Sequence, residues 1–255
     1  MELFFVADKR KSPDVENWIK NKTVASRDLS SAKAICVAGG DGFLLHNIHK
    51  YWKQGLPFIG INRGTVGFLL NSINSPDKVP VSFNQLNLIF LRLIQGEFIT
   101  RKGEKKIYLA FNDIFCGGNI ADFITFKISG ELNHFPERIS RGNGIVVSTA
   151  QGTTGFVLNA RGTAALLPLD SKNWFVGGVA TGPYPCDQVS PQKIIIEVES
   201  RRSVNGYADG YSHEVLDIKK IIVTPTKHIV TLGFLADTDF AARRTQLAQK
   251  LERGE

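Results

Sequence analysis

The segment that most constrains this chain runs from Ala34 to Ile61. Ala34 to Ala38 is an unbroken apolar run of strand length that empties into Gly39-Gly40-Asp41-Gly42. Leu44, Ile48, Tyr51 and Trp52 then recur at helical spacing until Gly55, a residue type that ends helices readily. A second apolar run, Pro57 to Ile61, follows closely. Strand, glycine turn, helix and strand in that order make a β-loop-α-β unit, the crossover from which parallel sheets are built. The start of the chain suits the same layer. It reads as a strand at Leu3 to Ala7 and a helix near Pro13 to Asn21, with Ser12 as N-cap, Pro13 at the first helical position, and Val15, Trp18 and Ile19 facing inward.

Farther along, Ser82 and Gln85 fit a capping box for a helix whose Leu86, Ile89, Phe90, Leu93 and Ile94 form one apolar face, ending at Gly96. Beyond it the period shortens. Phe98 to Arg101, Lys106 to Phe115, Asp122 to Ile128, Gly144 to Ser148, Ile194 to Glu199 and Ile221 to Thr224 are short and rich in β-formers, with glycine or polar turns between them. Asp237 and Asp239 then open a last helix with Phe240, Leu247 and Leu251 inward and Lys250 and Arg253 near its end, as the helix dipole favours. The expectation is an α/β N-terminal domain followed by a β-rich one.

With 255 residues and 43% apolar content the chain can bury a substantial core. No apolar run approaches the roughly 18 to 20 residues that span a bilayer, and the opening places its charges after its apolar stretch. A cytoplasmic protein without a membrane partner is expected. Cys36, Cys116 and Cys186 are odd in number and widely spaced, which suits neither a disulfide framework nor a zinc site. The formal charge of +7 suits a polyanionic partner. Its basic residues come in scattered pairs, such as Lys105-Lys106 and Arg243-Arg244, rather than in a stripe interleaved with aromatics, so nucleic acid is not expected. His46 and His49 could share a helix face but lack a third ligand in sequence, and Glu197 and Glu199 alternate on one strand face. Both pairs read as structural.

Chemistry gathers in two loops. In Gly39-Gly40-Asp41-Gly42, backbone free of side chains can approach a phosphate while helix N–H groups face it. Asp41 is then the odd residue, because a carboxylate repels phosphate unless a divalent cation bridges them or it has proton-transfer work. The second loop, Gly144 to Gly155, is an apolar strand emptying into Ser148-Thr149-Ala150-Gln151-Gly152-Thr153-Thr154-Gly155. It offers many hydrogen-bonding groups, and by pattern alone it equally suits a hairpin connection. The chain has neither a P-loop nor a dinucleotide fingerprint in a strand-to-helix setting.

Together, Gly39-Gly40-Asp41-Gly42, Asn62-Arg63-Gly64-Thr65-Val66-Gly67-Phe68-Leu69, Phe111-Asn112-Asp113 and the Gly142-to-Gly162 loop resemble, in order and approximate spacing, the motif series of NAD kinases. The resemblance is clear from about Ala34 to Gly162 and looser beyond. It implies a two-domain fold, with 1–97 and a returning 233–255 forming the α/β domain and 98–232 a β-rich, NAD-binding one. It also implies a kinase that transfers phosphate from ATP or polyphosphate, with magnesium held through the donor phosphates, to the NAD ribose 2′-hydroxyl, working as a homodimer or homotetramer.

By position, Asp41 corresponds to the catalytic aspartate, with Gly39, Gly40, Gly42 and Phe43 at the phosphate loop. Asn112 and Asp113 correspond to the pair that holds the nucleoside, and Thr149, Gly152, Thr153, Thr154, Gly155 and Asn159 to the loop around the adenine. Asn143 stands near the nicotinamide end, and Asp209 matches a late aspartate contributed from another subunit. Several residues depart from the family pattern. Phe43 replaces a threonine, Asp113 a glutamate, Asn143 an aspartate, Ala150-Gln151 a proline-threonine pair and Phe156 a tyrosine. Two other readings stay open here: a nonenzymatic NAD(P)-binding homologue, and a lipid or sugar kinase, since those also use a GGDG loop.

Overall fold

Every residue of the strand Ala34–Gly39 is buried, as expected of an apolar run in a parallel sheet covered on both faces. The structure, a computed structural model, describes all residues except 22–24, 27, 120–121, 133–134, 136, 162–164, 180–186, 211–212 and 255. Cys186 and the side chains of Ile19 and Asn159 therefore lie outside the described residues. The chain divides into two compact units, Met1–Leu91 with Ile229–Glu255, and Arg92–His228. No helix among the described residues is long and apolar enough to cross a membrane.

In the first unit β1 (Leu3–Ala7), α1 (Pro13–Asn21), β2 (Ala25–Ser26), β3 (Ala34–Gly39), α2 (Asp41–Tyr51) and β4 (Phe58–Asn62) follow one another. The strands lie in the order β2, β1, β3, β4, each pair parallel. Leu232 extends the sheet beyond β4, parallel and opposite Phe58. Leu3, Val15, Ala34, Cys36, Ala38, Ile59 and Ile61 form the core, with Trp18 packed against it. Each buried Val, Leu or Ile contributes about 1.5–3 kcal/mol relative to exposure. Ser12 precedes α1 as expected, and its hydroxyl donates to the Ala38 carbonyl at 3.2 Å. The β3–β4 register sets Gly39 opposite Asn62, so two loops leave the sheet side by side at its carboxyl end. Ligands of open α/β sheets gather at that end.

The helix expected from Ser82 to Gly96 is instead a strand. The capping box does form, with Ser82 and Gln85 closing on each other, yet it holds only the 3-10 turn Phe83–Gln85. The chain then extends as β5 (Leu86–Thr100), in which Leu91 and Leu93 are buried and Arg92 exposed. The long run contains β-branched and aromatic residues at Ile89, Phe90, Ile94, Phe98 and Ile99, which favour a pleated surface. Gly96 lies inside the strand, opposite Tyr108, and ends nothing.

The second unit continues with β6 (Lys105–Ala110), β7 (Asp113–Gly117), β8 (Ile124–Gly130), β9 (Arg138–Gly142), β10 (Gly144–Ser148), α3 (Phe156–Arg161), β11 (Trp174–Val179), β12 (Asp187–Val189), β13 (Ile194–Val198), β14 (Asn205–Ala208), β15 (His213–Val215) and β16 (Ile218–Leu235), which runs on into the first unit, where α4 (Phe240–Glu252) follows. One sheet takes β16, β13, β8 and β9 in order, with β5 joining β16 to β6. The other runs β12, β11, β10, β7, β14, β15 and is antiparallel throughout. Phe98, Ile114, Phe126, Ile145, Val147 and Ile194 belong to the core that both sheets share. Val146, pointing the other way on β10, packs instead with Val157 of α3, Leu167 and Phe175.

Two further expectations change. The single strand read from Lys106 to Phe115 breaks at Phe111-Asn112, where the chain leaves one sheet for the other. In α4 the buried positions are Phe240, Arg244 and Ala248, spaced by four, and Leu251 is exposed. Asp239 caps that helix, accepting from the Ala242 N–H at 3.0 Å. Cys36 and Cys116 are buried and outside any disulfide, and burial pushes the Cys116 thiol up to about 12.

Candidate active site

In the first unit the site begins where β3 ends. Gly40 is the N-cap of α2, in extended conformation and with no side chain to accept from the first helix N–H groups, which leaves the positive end of the helix dipole uncapped. Asp41 is the first helical residue, and both of its carboxylate oxygens are engaged. Oδ2 accepts from the Phe68 N–H and Oδ1 from the Leu69 N–H, each at 2.9 Å. The Asn62 side chain closes the intervening loop, accepting from the Gly64 N–H at 2.9 Å and donating to the Val66 carbonyl at 3.0 Å. The two glycine loops touch through backbone, since a Cβ on Gly64 would come within 2.9 Å of the Gly40 Cα. Phe43, half-buried, lays its ring against Gly39. A carboxylate with four lone-pair sites and two occupied retains acceptor capacity for an incoming hydroxyl.

In the second unit the Phe111-Asn112-Asp113 step forms the centre. The Asp209 carboxylate captures three successive N–H groups, those of Phe111 (2.6 Å), Asn112 (2.7 Å) and Asp113 (3.1 Å). Asp209 itself sits at φ 52, and its N–H donates to the Asp113 carbonyl at 3.0 Å. The loop after β10 is stitched to the same step. The Thr149 hydroxyl reaches the carbonyls of Phe111 (2.8 Å) and Asn112 (2.9 Å), and the Gln151 amide donates to the Phe111 carbonyl at 2.6 Å. Gly152 lies so close that a Cβ would stand 2.3 Å from the Asn112 carbonyl oxygen.

Asp113 is 5% exposed, and burial pushes its carboxyl up to about 8, with the Asp209 charge adding to the shift. Asn112 Oδ1 is buried and meets no donor among the described residues. Such an acceptor is costly to leave unmet, which makes it a place for a ligand N–H.

The hydroxyls of Thr153 and Thr154 bond within their own loop, to the Ala150 carbonyl at 2.7 Å and the Gln151 carbonyl at 3.2 Å. Gly155 closes the turn on the Gly152 carbonyl at 2.9 Å. Asn143 donates its amide to the carbonyls of Asn119 (3.1 Å) and Asp122 (2.9 Å), which an aspartate cannot do. Asp209, matched in sequence to a residue that serves another subunit, engages its own chain. Phe156 is exposed and tilts onto Phe115 at 4.8 Å, which stacks on Tyr207 at 5.8 Å. The sequence placed Asn62 at the head of the Asn62-to-Leu69 motif and Gln151 in the hydroxyl-rich loop, but it did not reveal that both brace the backbone around the site. Among the described residues no three His, Cys, Asp or Glu gather as a metal cage.

No family model matches the chain. Among curated proteins it is similar to the NAD kinase of Rickettsia felis, 34% identical over 146 residues that cover 56% of this chain and 54% of that one. It is 32% identical to the NAD kinase of Rickettsia bellii over 178 residues, 66% of this chain and 64% of the relative. The likeness to the Xylella fastidiosa NAD kinase is 29% over 219 residues, 81% and 80% of the two chains. The chain thus spans about half the length of the first of these relatives. Its fold is that of yeast NADH kinase, solved with NADH, at a TM-score of 0.78 and 15% identity over 96% of this chain and 86% of that one. It also matches an Archaeoglobus fulgidus NAD kinase, solved with ATP, at 0.71 and 20% over 97% and 99%. In sequence the chain is similar to NAD kinases, and its fold is the one those two solved kinases share.

Proposed function

We propose that this protein is an NAD kinase, phosphorylating the 2′-hydroxyl of the adenosine ribose of NAD to form NADP. The observation that carries the reading is Asp41, whose carboxylate two backbone N–H groups hold fixed in a glycine loop at an uncapped helix N-terminus. Asp41 accepts the 2′-hydroxyl proton as that oxygen bonds to the terminal phosphorus of the donor. The bond from phosphorus to the bridging oxygen breaks, and ADP or a shortened polyphosphate leaves. The N-terminus of α2, which no capping side chain meets, and the backbone of Gly39, Gly40 and Gly42 face the donor phosphates. A magnesium ion held through the donor phosphates would supply charge neutralisation there.

Asn112 and Asp113 hold the nucleoside, the unmet Asn112 Oδ1 being suited to an exocyclic amine of the base. Asp113, largely protonated near neutrality, can donate as well as accept. The names of the relatives and the NADH and ATP held by the two solved neighbours support this assignment of acceptor and donor. The family likeness also favours a cytoplasmic homo-oligomer, which sedimentation and localisation test directly.

The deciding experiment is NADP formation from NAD with magnesium and either ATP or polyphosphate. Wild type is expected to form NADP, and Asp41→Asn to lose about 10²-fold or more in turnover, the scale of a general base. Calorimetric binding of NAD should survive in the variant. Near-wild-type turnover by Asp41→Asn would remove Asp41 from the mechanism.

A further inference from the structure

We infer that Arg243, on the C-terminal helix α4, is a positioning residue for Asp41 and acts through the backbone turn from Gly67 to Leu70. This inference rests on the catalytic reading of Asp41. The backbone turn from Gly67 to Leu70 is gripped from two sides. Its N–H groups at Phe68 and Leu69 go to the two oxygens of Asp41, at 2.9 Å each. Its carbonyls at Gly67 and Leu70 go to Arg243, with Nη2 donating to Gly67 at 3.2 Å and Nη1 to Leu70 at 2.5 Å.

The Gly67 carbonyl and the Phe68 N–H belong to one peptide unit. Guanidinium, carbonyl, N–H and carboxylate therefore stand in series, and each charge polarises the shared peptide in the same sense. Arg243 is half-buried, so solvent screens this field less than it would on the surface. Burial lowers its pKa while Asp41 pulls it back up, so the two charges sense one another.

The geometry has a mechanical side as well. Gly67 sits at φ +78 and is pressed against the Asn62 amide, so the turn is confined at its start. At its far end Asn71 is tied to the carbonyls of Gly60 and Gly233, both at 3.0 Å. Between these anchors, the Arg243 fork spans both outward carbonyls of the turn. A planar, bidentate donor suits that task, and lysine, a single point charge, cannot span both. Without the fork the two N–H groups that orient Asp41 lose their backing, and the carboxylate gains freedom where the reaction needs it fixed.

The test uses the full chain with Arg243→Met and Arg243→Lys. Arg243→Met should lower kcat roughly 10-fold or more while the KM for NAD changes less than about threefold, because the nucleoside contacts lie elsewhere. Arg243→Lys should fall between Met and wild type, and it keeps the test open if the Met variant folds poorly. Combined with Asp41→Asn, the Met substitution should cost less than about threefold more, since its effect passes through the missing carboxylate. Equal losses in both backgrounds, or unchanged kcat, would overturn the inference. Amide exchange at Phe68 and Leu69 supplies a readout independent of turnover. Faster exchange there in Arg243→Met, with β3 unchanged, is expected, and unchanged protection would overturn the inference. Absence of NADP formation by the wild type would instead sink the kinase reading.

Discussion

Asp113 and Asp209 are two carboxylates at one backbone turn, and their environments separate their duties. Asp209 is satisfied by three N–H groups. Asp113 receives none of these, and burial raises it from an ordinary 3.8 to about 8. Between those values the folded protein keeps a proton that the unfolded chain has released. The contribution to stability is therefore most favourable below pH 3.8 and is lost as pH rises toward 8. Asp113→Asn removes this dependence. Its melting temperature should exceed that of wild type at pH 8, and the difference should shrink toward pH 5. Equal differences at both pH values would show that Asp113 is already ionised. The same attention to single atoms explains Asn143, whose amide donates to two carbonyls where an aspartate would present two more acceptors.

Among the elements, the parallel β-loop-α-β unit was legible because one buried strand, one glycine turn and one amphipathic helix each carry their own period. The Ser82 to Gly96 stretch misled for a reason that can be located. Ser82 and Gln85 truly cap a turn, but capping reports a start and not a length. From Leu86 onward, apolar residues sit on both faces of the chain, with Leu88 and Phe90 exposed, so spacings of two and of three to four are both satisfied. Pairing with β6 and β16, which no local signal encodes, decided for a strand. The loop after β10 was recognisable by composition, but its use was not. The hydroxyls of Thr149, Thr153 and Thr154 bond the protein's own backbone, which no count of donors reveals. That stitching yields a prediction at Gly152. A methyl there meets the Asn112 carbonyl at 2.3 Å, so Gly152→Ala should destabilise by roughly 1–3 kcal/mol and weaken NAD binding. Thermal melts and calorimetry check both, and wild-type values for each would mean the loop yields at no cost.

For the molecule as a whole, the first unit is assembled from segments distant in sequence, Met1–Leu91 and Ile229–Glu255, whereas the second is one continuous stretch. Leu232 pairs with β4, the Leu235 N–H donates to Asn71 at 2.9 Å, and Arg243 holds the turn behind Asp41. Ending the chain at His228 should therefore strip amide protection from β4 while β7, β10 and β13 keep theirs. Hydrogen exchange on that truncated chain tests it, and intact protection of β4 would show the N-terminal segment to be self-sufficient. The split arrangement also sets a timetable during synthesis. At roughly 5–20 residues per second, the ribosome needs on the order of 10–30 s between making β4 and making the strand that flanks it. Through that interval the nascent first unit exposes a bare sheet edge, and the cell must shield that edge from neighbouring chains.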